Sequence, residues 1–165
     1  MIVLVGFMGA GKTTVGRLLA AKLGVPFIDS DHVIERRAGK PVPRIFAEDG
    51  EPRFRQLEHE AIADLLKGED KVLALGGGAA CHAGTRADLA AAAVPVVYLQ
   101  ISYAQAMSRV GGDQGRPMLA RADVAQLHQD RDPLYAQAST VIIEAGGRCP
   151  EEISLDILTR LEEAS

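Results

Sequence analysis

Ile2-Val3-Leu4-Val5-Gly6-Phe7-Met8-Gly9-Ala10-Gly11-Lys12-Thr13 opens on four β-branched or leucine residues and closes on a glycine-rich stretch ending in a lysine and a hydroxyl. An apolar run without polar alternation reads as a strand buried on both faces of a parallel sheet. Beyond it, Val15, Leu18, Leu19 and Leu23 recur at helical spacing, and Gly24 followed by Pro26 supplies a stop. The unit is strand, loop, helix, and residues 6–13 satisfy G-x-x-x-x-G-K-S/T between the two elements that give the pattern meaning. In such a loop successive backbone N–H groups curl round phosphate oxygens at the positive end of a helix dipole. The lysine reaches the β and γ phosphates, and the hydroxyl is offered to Mg²⁺. Nucleotide binding is the expectation, against a glycine-rich turn of no function.

Working outward, short apolar runs return at Val25–Ile28, Val72–Leu75, Val94–Ile101 and Thr140–Ile143, with room for crossover helices between them. Residues 51–67 and 151–164 carry helical periodicity, and Pro150 stands where a first turn tolerates proline. Five strands alternating with helices predict an α/β domain; these patterns do not yield the strand order. Residues 111–123 combine glycine, charge and one proline without an apolar period, which predicts a mobile lid.

The 165 residues suit one domain, since domains run to roughly 100 to 200 residues. A net charge of −4 argues against a broad grip on nucleic acid but leaves room for a small anionic ligand held by a few arginines. Cys81 and Cys149 stand far apart and outside any CxxC pair, so neither zinc nor a disulfide framework is suggested, and a cytoplasmic setting is expected. The N-terminal residues lack a basic leader, and the apolar stretch 89–99 is too short to span a bilayer, so no membrane role is expected.

A P-loop alone does not decide between switch, motor and small-molecule kinase. The chain has no asparagine, hence no N-K-x-D, and none of its aspartates begins D-x-x-G, which excludes a guanine-reading switch. Asp29-Ser30-Asp31 ends the second strand. Its carboxylates can hold metal-bound water and face an acceptor hydroxyl, or either can simply cap the helix that follows. Gly76-Gly77-Gly78 after the third strand allows close backbone approach to a ligand, or a tight turn. Arg55 and Glu58 share a helix face, either as an arginine held in place or as a solvated surface pair. Phe46 and Phe54 can be core or pocket wall. Arg116-Pro117 in the lid and Arg131-Asp132-Pro133-Leu134-Tyr135 after it are the other arginine motifs, a lid arginine being able to close over developing negative charge. His32, His59, His82 and His128 show no metal spacing, and Cys81 beside His82 lacks a third orienting group, so packing roles are expected.

Taken together, GFMGAGKTTVGR (6–17), DSD (29–31), IFAEDGEPRFRQLE (45–58), LGGGAA (75–80), GRPML (115–119) and RDPLY (131–135), in this order, resemble the shikimate kinase family. The resemblance implies a three-layer P-loop fold with a five-stranded parallel sheet of order 2-3-1-4-5. It also implies transfer of the ATP γ-phosphoryl group to the 3-hydroxyl of shikimate. Gly9, Ala10, Gly11, Lys12, Thr13 and Thr14 then correspond to the phosphate cradle. Thr13, standing where serine is more usual, becomes the Mg²⁺ ligand, with Asp29 reaching the ion through water. The segment 31–60 corresponds to the substrate-binding region: Asp31 faces the substrate hydroxyls, and Arg55 with Arg131 clamps its carboxylate. Gly76, Gly77 and Gly78 line the substrate, Glu58 orients Arg55, and Arg116 meets the ATP phosphates. Arg109, Arg148 and Pro150 match adenine-side positions more loosely. Lys12, Asp31 and Arg116 are the expected catalytic residues. ATP and shikimate are the expected partners, and a monomer is expected.

Overall fold

The computed structural model describes residues 1–110 and 121–165. Its strands are β1 (Ile2–Val5), β2 (Phe27–Asp29), β3 (Val72–Ala74), β4 (Val96–Gln100) and β5 (Val141–Glu144), in the order β2-β3-β1-β4-β5. Every pairing is parallel. Among the described residues the helices are α1 (Lys12–Leu23), α2 (Ser30–Ala38), α3 (Val42–Leu65), α4 (Ala83–Ala92), α5 (Tyr103–Val110), α6 (Arg121–Ala138) and α7 (Pro150–Glu163). A 3-10 turn, Ala79–Cys81, precedes α4.

The register shows the layers. Leu4 pairs with Val97 and Val5 with Tyr98, so Leu4 and Tyr98 point to opposite faces of the sheet. Leu4 packs against Gly16 of α1, and Tyr98 against Tyr135 of α6. The sheet is therefore sandwiched between these helices, and β1 is buried along its whole length. After β1 the chain moves to one side for β2 and β3, then crosses to the other for β4 and β5. β1 is the switch point, where α/β sheets bind ligands beyond the strands' carboxyl ends. A second, smaller core of Val33, Ile34, Ile45, Phe54 and Ala61 joins α2 to α3.

The strands sit where the apolar runs lie, with shifted ends. β2 spans Phe27–Asp29 rather than 25–28, because α2 starts immediately at Ser30 and the ladder extends to its cap. β4 is trimmed to Val96–Gln100, Pro95 being unable to donate to the ladder. The helix expected over 51–67 is the second part of α3, whose helical backbone breaks at Gly50 (φ 82°, ψ 164°). The expected lid, 111–123, falls outside the described residues except for its end, Arg121–Asp123, which forms the first turn of α6. Among the described residues no helix is long and apolar enough to cross a membrane.

Gly6, where β1 hands over to the loop, has φ 154°, and a Cβ there would lie 2.8 Å from the Leu99 carbonyl oxygen. That oxygen belongs to rigid β4 backbone and cannot yield cheaply. Gly6→Ala is expected to destabilise the fold by about 1–3 kcal/mol, measured by urea denaturation; an unchanged midpoint would show that the loop relaxes freely.

Candidate active site

The loop after β1 turns through Gly9 (φ 80°) and Gly11 (φ 92°), conformations in which side chains are strained, and Gly11 caps α1. Lys12 Nζ donates to the carbonyls of Gly6 at 2.7 Å and Phe7 at 3.1 Å, so its ammonium lies across the loop that the backbone curls around. Arg109, from α5, donates to the Gly9 carbonyl at 3.0 Å. Thr13 and Thr14 line a cavity of about 340 Å³ with Arg17, Leu18, Pro150 and Glu151, between the N-termini of α1 and α7. Of the looser adenine-side matches, Pro150 and Arg109 therefore reach the P-loop. Arg148 is bound instead to Asp156 at 2.9 Å and to the Glu144 carbonyl at 3.1 Å.

β1 and β3 are neighbours, with Leu75 N donating to the Leu4 carbonyl at 3.0 Å, so the triple glycine emerges beside the P-loop. Four charged side chains converge on it. A Cβ on Gly76 would lie 2.6 Å from Asp31 Oδ1 and 3.2 Å from Glu58 Oε2. One on Gly77 would lie 3.3 Å from Arg131 Nη1, and one on Gly78 would overlap the Arg55 guanidinium, 2.7 Å from its Cζ. The glycines are thus more than a tight turn: side chains at 76 and 78 would occupy space that these charges fill. Arg55 and Arg131, 76 residues apart in the chain, face the same three residues.

The elements explain the placement. Asp29 caps α2 by accepting from Asp31 N at 2.9 Å. The capping alternative therefore holds for Asp29, while its second carboxylate oxygen keeps lone pairs for another donor or a cation. Ser30, to which sequence reasoning attached no role, is fully buried and accepts from Gly76 N at 3.0 Å, tying the β2 end to the triple glycine. A small hydroxyl between two aspartates was the available signal.

Arg55 donates to Glu58 Oε1 at 2.7 Å. Glu58 is 2% exposed, so the pair is not a solvated surface pair. Its Oε2 is buried without a hydrogen-bond partner among the described residues. Burial pushes the Glu58 carboxyl above its ordinary range against the pull of Arg55, and nearby Asp31 pushes the same way. Arg55 Cζ also lies 5.2 Å from the Phe54 ring, which stacks on Phe46 at 4.6 Å. Phe54 is both core and platform.

Of the histidines, His59 pairs with Asp88 at 2.8 Å and His128 with the Ile101 carbonyl at 2.8 Å. Among the described residues no cluster of three metal-ligating side chains occurs. Burial pushes the Cys81 thiol up, in keeping with a packing role. Arg116 lies outside the described residues.

A family model described as shikimate kinase matches residues 8–162. The chain belongs to the shikimate kinase family. The shikimate kinase of Thermobifida fusca is 47% identical over 167 residues, covering 99% of this chain and 96% of that protein. That of Pseudomonas savastanoi pv. phaseolicola is 46% identical over 98% of this chain and 96% of its own length. Among solved structures, the Acinetobacter baumannii shikimate kinase in complex with shikimate superposes with a TM-score of 0.92 at 39% identity, covering 99% of this chain and 93% of that one. A gluconokinase from Sinorhizobium meliloti reaches 0.67 at 24% identity, a likeness of fold alone. The three-layer fold, the strand order and the kinase class implied by the family resemblance are all borne out.

A raised Glu58 pKa favours folding while the group is protonated. Its contribution is complete below the unfolded value near 4.5 and is lost as pH rises through the folded value. Glu58→Gln is therefore expected to gain thermal stability relative to the unsubstituted protein as pH rises from about 4 to 7. Parallel Tm profiles for the two proteins would refute the sign.

Proposed function

We propose that the chain moves the γ-phosphoryl group of ATP to the 3-hydroxyl of shikimate, with the charged ring around the triple glycine as the acceptor site. The observation that carries this reading is the convergence of two guanidiniums and an aspartate on one bare stretch of backbone beside the P-loop. A ring acid with several hydroxyls needs paired cations at one end and acceptors with N–H donors at the other. Arg55 and Arg131 take the carboxylate. Asp31 accepts from the hydroxyls and orients the reacting oxygen, and the glycine backbone supplies donors.

On the nucleotide side, the N–H groups from Gly9 to Thr14 hold the phosphates and Pro150 borders the adenine. Arg109, bonded to the Gly9 carbonyl, stiffens the loop from the α5 side. Arg148 keeps its adenine-side assignment indirectly, by fixing the β5 to α7 connection through Asp156 and Glu144. Phosphoryl transfer has a loose, charge-spread transition state, so catalysis falls to positioning and to cations. Lys12 supplies one, and Arg116 is assigned the same phosphates on the family resemblance.

Thr13 and Asp29 fit Mg²⁺. Both offer hard oxygen donors, and a two-residue protein contribution completed by water and phosphate is the usual Mg²⁺ arrangement. When bound, the ion neutralises charge on the β and γ phosphates. Two free cysteines fit a reducing cytoplasm.

With ATP and Mg²⁺ present, ADP release should depend on shikimate and not on gluconate; turnover on gluconate alone would end the assignment. Lys12→Ala should lower kcat by roughly 10²–10³ or more, with the fold intact by circular dichroism. Arg131→Ala should weaken shikimate binding by about 2–5 kcal/mol while ATP affinity holds, as read by calorimetry.

A further inference from the structure

Tyr135, at the end of the Arg131-Asp132-Pro133-Leu134-Tyr135 motif, has so far no part in the reaction. It is 1% exposed and lies four residues after Arg131, so both side chains leave the same face of α6. Its hydroxyl donates to the Gly77 carbonyl, and the Arg131 guanidinium faces the same phenol oxygen. Burial holds the phenol above its ordinary value, so it stays a donor across the working pH range. The ring rests on Tyr98 of β4 at 5.2 Å. Tyr98 in turn donates to Asp132 Oδ1, and Gln100 Nε2 approaches the same atom at 3.4 Å. The Arg131 end of α6 is thereby pinned to β4, and the next turn reaches across to the loop after β3.

Three consecutive glycines have no side chains to fix their peptide planes, and their backbone freedom is the largest of any residue. The Gly77 carbonyl and the Gly78 N–H belong to one planar trans peptide and point in opposite directions. A donor that holds the carbonyl therefore aims the N–H.

We propose that Tyr135 is a positioning residue for the acceptor pocket: its hydroxyl, between the Arg131 guanidinium and the Gly77 carbonyl, sets the Gly77–Gly78 peptide and Arg131 in a fixed mutual orientation before the substrate arrives. The proposal rests on the pocket assignment above. A purely structural hydroxyl, satisfied by Gly77 because buried polar groups require partners, would give a different kinetic pattern on removal.

Tyr135→Phe keeps the ring on Tyr98 and removes one hydroxyl. In the full-length chain the expected result is a shikimate KM raised roughly tenfold, with kcat and the ATP KM within about twofold. A shikimate KM within about twofold of the unsubstituted protein, or the two KM values rising together, would overturn it. In an Arg131→Ala background the same substitution should cost clearly less, since both act on one orientation; full additivity would count against it. Should Tyr135→Phe fail to fold, the Gly78 amide of isotope-labelled unsubstituted protein is followed while shikimate is added. One sharp, slowly exchanging Gly78 amide signal already present before shikimate is added supports the proposal, and a signal that is broadened or multiple in the free protein and sharpens only with shikimate overturns it. The two readings separate at Arg131→Ala. Unchanged shikimate affinity in that variant removes the pocket assignment itself. Weakened affinity there, beside an unaffected Tyr135→Phe, removes only the role of Tyr135.

Discussion

Charges taken out of water need partners at close range, and four of them, Asp31, Glu58, Arg55 and Arg131, meet around Gly76–Gly78. Backbone can thread such a cluster only if it brings no side chains at the crowded positions, which makes Gly76 and Gly78 a spatial requirement rather than a flexible link. The cluster is also balanced in sign. Two guanidiniums offset two carboxylates, and Arg55 with Glu58 forms a pair whose separation would strand a buried charge at a cost of several kcal/mol. Such a cluster holds its shape until a ligand offers equivalent partners. A carboxylate presented to the guanidiniums meets that condition.

The acceptor side is built on a semi-independent piece of the fold. α2 and both parts of α3 share their own small core, and Gly50 breaks the helix just before the turn that carries Phe54, Arg55 and Glu58. Asp31 leaves from the first turn of α2, its own N–H donating to the Asp29 carboxylate while the Ser30 hydroxyl accepts from Gly76 N. The main core and the small core thus hold the two halves of the site separately. They meet at the carboxyl edge of β1, β3 and β2, where backbone hydrogen bonds keep the register rigid.

What could be read from residues alone follows the range of the interactions. The P-loop, α1 and the five strands rest on contacts within a dozen residues or on unbroken apolar runs, and the structure has them with ends moved by a few residues. Arg55 and Glu58 were visible as neighbours on a helix, but periodicity could not tell a buried pair from a solvated one. That is decided by α2 and by the loop after β3, remote in sequence. Ser30 bonds to a backbone 46 residues away, and Tyr135 to one 58 residues away. No local pattern encodes such partners. The Arg131–Tyr135 spacing hinted at a shared face without saying what that face met. The roles of single residues came from family resemblance, which supplies the partners that spacing omits.

Sheet order and P-loop place any acceptor near the γ phosphate without choosing it. Choice must come from the walls beyond β2 and β3 and from α6. A flexible chain acid and a ring acid can both offer a carboxylate, so one arginine could not separate them. Two guanidiniums, one over the Phe54 ring and the other facing Tyr135, would separate them on the proposed reading. On the reading proposed above, a rigid ring acid would meet both together with Asp31 without losing internal rotations, whereas a flexible acid would have to freeze several to do the same. Selectivity of this kind grows with the stiffness of the walls, which is why the hydrogen bonds behind the two arginines matter as much as the arginines themselves.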